Sequence, residues 1–360
     1  MIESVLNEYG IHDEEGRIEP LTNGLINSTW KITTGKQQFI LQRINELVFK
    51  NPYFLAENVR MVDQYLAQQS PSYLFVSPIK TKQQKEIFHD KQKGYFRLFP
   101  FVQGSHTINV VSTPDQAFEA ALQFGKFTKL LSGFDAKKLH LTLPDFHNLT
   151  LRYHQFDDAI KNGNADRIKQ AEVLISEIKK RQHILVSYEK IKLNEQVRHR
   201  VTHHDTKISN VLFDDRGKGL GVIDLDTIMP GYFISDMGDM MRTYLSPANE
   251  EENDFSKIEI RDDFFHAIVH GYLHQLGDEL TPEEKTIILY AGSFLIYMQA
   301  IRFLTDYCNN DIYYGATYAE QNFVRAGNQI CLLKKLEEKG GRLQEMIAAE
   351  LSMKNYFFLG

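Results

Sequence analysis

The sequence predicts an α+β protein of two lobes, a small antiparallel-sheet lobe carrying one main helix and a larger, mainly helical lobe after it. Three observations lead there. Residues 18–100 alternate apolar and polar positions in short segments bounded by turn residues, the pattern of half-buried strands. One stripe of 3.6-residue period, Leu55, Val59, Val62 and Leu66, interrupts them. Beyond Gly104 the period turns helical almost throughout. At 360 residues, 42% hydrophobic and 24% charged, the chain has the length for two lobes around a shared cleft, and disorder as its main state is ruled out.

In chain order, strands are expected at 28–33 and 38–44, joined by a hairpin turn at Thr34-Gly35-Lys36. A helix follows from Pro52 to Gln69, its proline at a first-turn position where no N–H is needed. Two more strands are expected at 73–80 and 94–101. The boundary falls in Phe99-Pro100-Phe101-Val102-Gln103-Gly104, where proline and glycine punctuate an apolar run, giving lobes of 1–103 and 104–360. The second lobe is expected to hold helices at 114–131, 151–162 and 165–190. A long helix should start at Thr281-Pro282-Glu283-Glu284, where the Thr and Glu form a capping box, and reach about Asn309. A last helix is expected from Tyr318 to Lys339, stopping at Gly340-Gly341. Residues 210–226 are the one β-like interruption of this lobe.

Charge and cysteine content narrow the classes. Lys and Arg total 41 against 47 Asp and Glu, a net charge of −6, so no basic field gathers nucleic acid or anionic lipid. Neither nucleic acid nor a membrane is therefore expected as a partner. Cys308 and Cys331 are too few for a disulfide framework and lack zinc-site spacing. With a start at Met1–Gly10 that has no signal-peptide pattern, a cytoplasmic location is expected. The apolar stretch 287–301, interrupted by Ser293 and Gln299 and closed by Arg302, reads as a buried helix rather than a membrane span.

The chemistry concentrates at His203-His204-Asp205-Thr206-Lys207-Ile208-Ser209-Asn210, followed by a short hairpin and by Val222-Ile223-Asp224-Leu225-Asp226. Phosphoryl transfer from ATP asks for such a set. One carboxylate orients the attacking hydroxyl and accepts its proton, while an amide oxygen and another carboxylate hold magnesium on the phosphates. The spacing agrees with a kinase catalytic loop: an HxD, an Asn five residues after the Asp, and a further Asp at the end of an apolar strand. The plain alternative is a hairpin with solvated acids.

These residues resemble the aminoglycoside phosphotransferase and choline kinase superfamily, whose fold is similar to that of protein kinases. Five segments, 24–29, 41–45, 204–207, 223–231 and 236–239, most resemble the N-acetylhexosamine 1-kinases. The resemblance implies an enzyme that uses ATP and Mg2+ to phosphorylate the anomeric hydroxyl of N-acetylglucosamine or N-acetylgalactosamine, with lobe 1–103 binding nucleotide. It implies Asp205 as catalytic base, Asn210 and Asp224 as magnesium ligands and Asp226 as an additional, substrate-side contact. Lys207 would offset charge on the transferring phosphoryl group. Asp236 would brace the catalytic loop, the alternative being a helix cap.

For the nucleotide, the loop of Gly24, Asn27, Ser28 and Thr29 is expected to supply donors over the phosphates; no GxxxxGK[ST] is present. The third strand departs from the kinase pattern. Gln42 stands where kinases place a lysine, and Arg43 beside it should face the other way unless a bulge intervenes. Glu57 is the expected ion-pair partner on the following helix. Phe99 and Phe101 are expected around the adenine, with backbone groups near Phe101 hydrogen-bonding it. Arg302 and Tyr314 are expected at the sugar, the arginine donating to hydroxyls and the tyrosine covering an apolar face. Another acceptor of the same fold, such as an aminoglycoside, a choline-like amine, homoserine or another sugar, is the alternative; a cationic acceptor would draw on the acids of 250–254. A nucleotide-binding pseudokinase is the alternative of another class. The spaced histidines His266, His270 and His274 lack a metal-site motif and are read as a helix face.

Overall fold

The computed structural model describes residues 2–12, 16–21, 26–35 and 37–356, with side chains as far as 352. It is an α+β protein with a small antiparallel-sheet lobe and a larger, mainly helical one. The chain forms two compact units. The first comprises Met1–Asn109, Leu130–Pro144 and Ser209–Pro230; the second comprises Val110–Lys129, Asp145–Ile208 and Gly231–Gly360. The five-stranded sheet ends at Pro100, and the unit around it also takes in residues 130–144 and 209–230, where the sequence reading placed a single division after Gln103.

The first unit is built on helix α1 (Glu3–Glu8), strands β1 (Arg17–Leu21), β2 (Ser28–Thr34) and β3 (Gln37–Arg43), helix α2 (Pro52–Gln69), and strands β4 (Phe88–Asp90) and β5 (Gly94–Pro100). All strand pairs are antiparallel, in the order β1-β2-β3-β5-β4. The expected strand at 73–80 is absent as a strand. Pro78 has no N–H to give a ladder, and only Ile79 bridges to Leu98, so β4 takes the edge instead. One sheet face packs Ile32, Leu41, Phe96 and Leu98 against Val5 and Leu6 of α1 and Tyr9 at its end, a second helix on the sheet that the sequence reading lacked. Because strand side chains alternate, Thr29, Gln42 and Arg97, which lie opposite one another across the ladders, share the other face. A further small sheet pairs Ser105–His106 with Val211–Asp214, and that strand with Gly219–Val222.

The second unit is helical. Its central helix, Ile288–Cys308, packs against the helices Leu149–Asn162, Phe233–Tyr244 and Gln321–Glu338. At 21 residues it is long and apolar enough to cross a membrane by length and composition, yet it is this unit's core helix, with Phe294, Ile296, Tyr297, Ile301 and Leu304 fully or almost fully buried. The capping box forms as expected, Thr281 and Glu284 each accepting the other's backbone N–H. The helix it opens is short, Pro282–Thr286, and the chain bends at Ile287 before the long one. The single helix expected at 165–190 is three, Ala165–Gln170, Glu172–Lys180 and His183–Leu193. Gly340 opens one more helix, Gly340–Tyr356, where an end was expected.

Gly238, in the Phe233–Tyr244 helix, sets how closely that helix meets the central one. A Cβ there would lie 2.3 Å from the Ala291 carbonyl oxygen and 3.0 Å from Leu295 Cβ. The first obstacle is backbone, which cannot swing aside. Gly238→Ala should lower stability by about 1–3 kcal/mol, seen as a lower midpoint in thermal or urea unfolding; an unchanged midpoint would contradict this packing.

Candidate active site

In the second unit, the chain around Asp205 is held by two buried carboxylates from the Phe233–Tyr244 helix. The N–H groups of His203 and His204 donate to Asp236 at 3.0 and 2.7 Å, and that of Thr206 donates to Asp239 at 2.8 Å. Thr206 Oγ1 donates to the Asp236 carbonyl, and the Tyr244 hydroxyl donates to the Thr206 carbonyl. Three of the four backbone N–H groups from 203 to 206 are thus tied to one helix. His204 takes a left-handed φ of +64°, a turn that a non-glycine residue keeps only where its neighbours fix it. Asp236 therefore braces the loop and caps no helix end. Burial pushes its carboxyl up to about 6. Burial also raises Asp239, against the pull of Arg242.

Asp205 itself remains partly accessible, and Lys207 Nζ lies 3.0 Å from its Oδ2. Around this loop the second unit places several arginines. Arg242 pairs with Asp239 and Glu250, and Arg325 also pairs with Glu250. Burial pulls the Arg242 guanidinium down, but Asp239, Glu250 and Asp205 hold it above its ordinary value. Glu250, the first acid of the stretch considered for a cationic acceptor, is thus neutralised by two arginines.

Arg302 and Tyr314 are together in this unit. The Arg302 guanidinium lies 5.4 Å from the Tyr314 ring centre, 5.8 Å from that of Tyr313 and 5.6 Å from that of Phe146. Its Nη1 donates to Gln299 Oε1, and Gln299 Nε2 donates to the Tyr314 hydroxyl. The tyrosines are held through their main chain, since Asp306 accepts from Tyr313 N at 2.7 Å and Tyr314 N at 2.8 Å. Asn322 Nδ2 in turn donates to Asp306, to Asp311 and to the Gly315 carbonyl. Sequence reading did not find Asp306 and Asn322. Burial, and then Arg302, lower the Arg152 guanidinium from its ordinary value.

In the first unit, the Ile223 N–H donates to the Asn210 carbonyl at 2.9 Å, which sets Asn210 beside the segment carrying Asp224. Asp224 is exposed and left-handed, φ +59° and ψ +62°, at the start of the short 3-10 turn Leu225–Thr227. Asp226, expected at the substrate, is instead almost fully buried. Its carboxylate is ion-paired with Arg97 at 2.5 Å and accepts from Asn27 Nδ2 at 2.7 Å, and its carbonyl accepts from Thr142 Oγ1. Asn27 thus faces Asp226 and the Asn45 N–H, while Gly24 lies outside the described residues. Thr29 accepts from Gln42, and Ser28 is exposed at the start of β2.

β3 pairs regularly from Gln37 to Arg43 without a bulge, so Arg43 faces away from Gln42 and lies near Gly94 and Glu46. The cation beside Gln42 is Arg97 of β5, whose Nε and Nη2 donate to Gln42 Oε1 at 3.0 and 2.8 Å. The sequence held a signal for it, a lone arginine within the apolar run Phe96-Arg97-Leu98-Phe99. Glu57 does not pair with a third-strand cation; its partner is His140, at 2.6 Å. Phe99 lies under the Arg97 guanidinium, at 5.1 Å. The Phe101 N–H is engaged by the Gln38 carbonyl within the sheet, and Lys31 covers its ring, which removes that N–H from the expected adenine contacts.

The oxygen donors Asn210 and Asp224 suit magnesium, which takes oxygen ligands and completes its shell from water and phosphate. His266 stacks on His270 along the Asp262–Leu276 helix, His274 follows with its ring tilted, and His270 Nδ1 lies 2.7 Å from the buried Glu350. Among the described residues, no group of three or more His, Cys, Asp or Glu side chains is arranged to hold a metal.

The helical unit holds a carboxylate on a braced loop with a lysine beside it, and the sheet unit holds an amide and an exposed carboxylate on adjoining segments. The same fold recurs in solved structures. An aminopropanol kinase associated with a microcompartment matches at a TM-score of 0.64 and 14% identity, over 95% of this chain and 97% of that one. An aminoglycoside phosphotransferase from Alicyclobacillus acidocaldarius matches at 0.62 and 13%, over 94% and 96%. An amicoumacin kinase in complex with AMP-PNP and Ca2+ matches at 0.62 and 14%, over 93% of each chain. The chain belongs to the phosphotransferase enzyme family, whose pattern matches residues 17–280.

Proposed function

We propose that this chain transfers the γ-phosphoryl group of ATP to a hydroxyl of a small uncharged acceptor, an N-acetylhexosamine at its anomeric hydroxyl being the acceptor its residues favour. Asp205 orients that hydroxyl and takes its proton as the oxygen attacks the γ-phosphorus; the bond to the β–γ bridging oxygen breaks and ADP leaves. Lys207 offsets charge on the transferring group. Asn210 and Asp224 would hold magnesium, which when bound would supply charge to offset the phosphates.

The observation that carries this reading is the brace, in which two buried carboxylates fix the backbone on both sides of Asp205. A nucleotide-binding protein without turnover has no use for so closely fixed an acid. The acceptor's class is supported by the arginines around Arg302 and by the neutralised Glu250, surroundings that repel an amine and suit hydroxyl and carbonyl oxygens. Tyr313 and Tyr314 offer ring faces to a sugar. The solved neighbours include an aminopropanol kinase and an aminoglycoside phosphotransferase, so amine-bearing acceptors are the competing reading. The reliance on ATP and magnesium suits the cytoplasm.

The test is magnesium-dependent ADP release across sugars, amino alcohols and aminoglycosides, with the reducing end of any phosphorylated sugar assayed. Release with an N-acetylhexosamine and loss of its reducing end is the expected result. Release with an amine-bearing acceptor would keep the chemistry and replace the acceptor, whereas absence of ADP release with every acceptor would favour the pseudokinase.

A further inference from the structure

Gln42 leaves the third strand without the cation that kinases use to tie the sheet to nucleotide and metal. Arg97 lies on the same face, directly across the ladder from Gln42, and carries a charge that is only 3% exposed. A guanidinium so buried persists where its charge is paired and its N–H groups find acceptors. Gln42 Oε1 accepts from Nε and Nη2, and Asp226 pairs with Nη1.

Asp226 stands two residues beyond Asp224, within the one-turn 3-10 segment that starts from Asp224's left-handed backbone. A non-glycine residue holds such a conformation where its surroundings over-determine it. Asp226 is gripped from three directions: Arg97 of β5, Asn27 before β2, and Thr142, whose hydroxyl donates to its carbonyl. Of these, Arg97 brings the full charge and the shortest contact.

We propose that Arg97 is a positioning residue for the magnesium-binding turn. Through Asp226 it fixes the backbone from which Asp224 projects, so the β5 arginine does for the metal ligand what the third strand, with Gln42, does not. This rests on the function proposed above, in which Asp224 holds magnesium.

The test measures binding of a non-hydrolysable ATP analogue with and without magnesium, alongside thermal unfolding, for wild type, Arg97→Gln, Arg97→Lys and Asp226→Asn. Wild type should bind the analogue more tightly with magnesium. Arg97→Gln should lose about tenfold or more of that magnesium-dependent gain while keeping most of its magnesium-free affinity, and Arg97→Lys should recover part of it. If Arg97→Gln does not fold, Asp226→Asn, which keeps the volume and removes the charge, decides in its place. A merely structural role for the pair would lower the melting temperature and leave the magnesium gain intact, and that result would overturn the proposal. A wild type with no magnesium gain would instead refute the function on which it rests.

Discussion

Asp205→Asn is expected to lower turnover by roughly 10²–10⁴-fold, the range that a positioned general base contributes, with nucleotide affinity close to wild type. The amide keeps the size of the side chain but cannot take the hydroxyl's proton. The backbone around it should stay in place, because Asp236 and Asp239 hold the N–H groups of His203, His204 and Thr206 rather than anything on the Asp205 side chain. Lys207 loses its carboxylate partner at 3.0 Å, a half-exposed contact of small weight in stability. Steady-state kinetics and equilibrium binding of an ATP analogue check both halves. Near-normal turnover would remove Asp205 from the chemistry.

Asp236→Asn should be nearly as damaging without touching a substrate. The carboxylate accepts from two backbone N–H groups, one on each oxygen. An asparagine offers one oxygen and turns an NH₂ group toward the other donor, which leaves a buried N–H unsatisfied at about 1–3 kcal/mol. Displacement of the loop by about an ångström costs on the order of 10²-fold in rate, so turnover should fall while the KM for ATP changes little. Titration gives a second signature. Burial raises Asp236 in the folded protein to about 6, above its ordinary 3.8, so the folded state holds that proton more tightly than the unfolded chain. Its contribution to stability is complete below about pH 3.8 and is lost as pH rises through about 6, by roughly 1.4 kcal/mol for each unit. Unfolding followed from pH 4 to 7 should show this component in wild type and lack it in the asparagine variant. Identical pH dependence in the two would mean that Asp236 is not the group that titrates.

How much of this was legible in the sequence depends on how local each feature is. The helix Pro52–Gln69 was read to the residue, because its first-turn proline and apolar stripe are both local signals. β2 and β3 were read nearly as well, and the Thr281–Glu284 box completely. Glu57 went astray because it was expected to pair with a third-strand cation, whereas Arg43 faces away from Gln42 and Glu57's partner, His140, lies 83 residues away. Arg97 was overlooked for the same reason. Its partner Gln42 is 55 residues distant, and an arginine inside a strand declares its role only when the facing strand is known. Asp226 was expected as a substrate-side contact, and the arginine and asparagine that enclose it come from distant parts of the sequence. The division of 165–190 into three helices and the turn at Ile287 follow packing rather than propensity, and no glycine or proline marks them in the sequence.

The hold of Asp306 on the amides of Tyr313 and Tyr314 has a practical side. Those bonds grip the peptide and ignore what the rings are, and Asn322 adds its grip on the Gly315 carbonyl in the same indifferent way. The backbone at both positions is thus fixed independently of the side chains, although the Tyr314 ring is also engaged by Gln299 and Phe303. Under the proposed function, a library that varies 313 and 314 while keeping Asp306 and Asn322 would vary the aromatic surface offered to the acceptor while the backbone that carries it stays held.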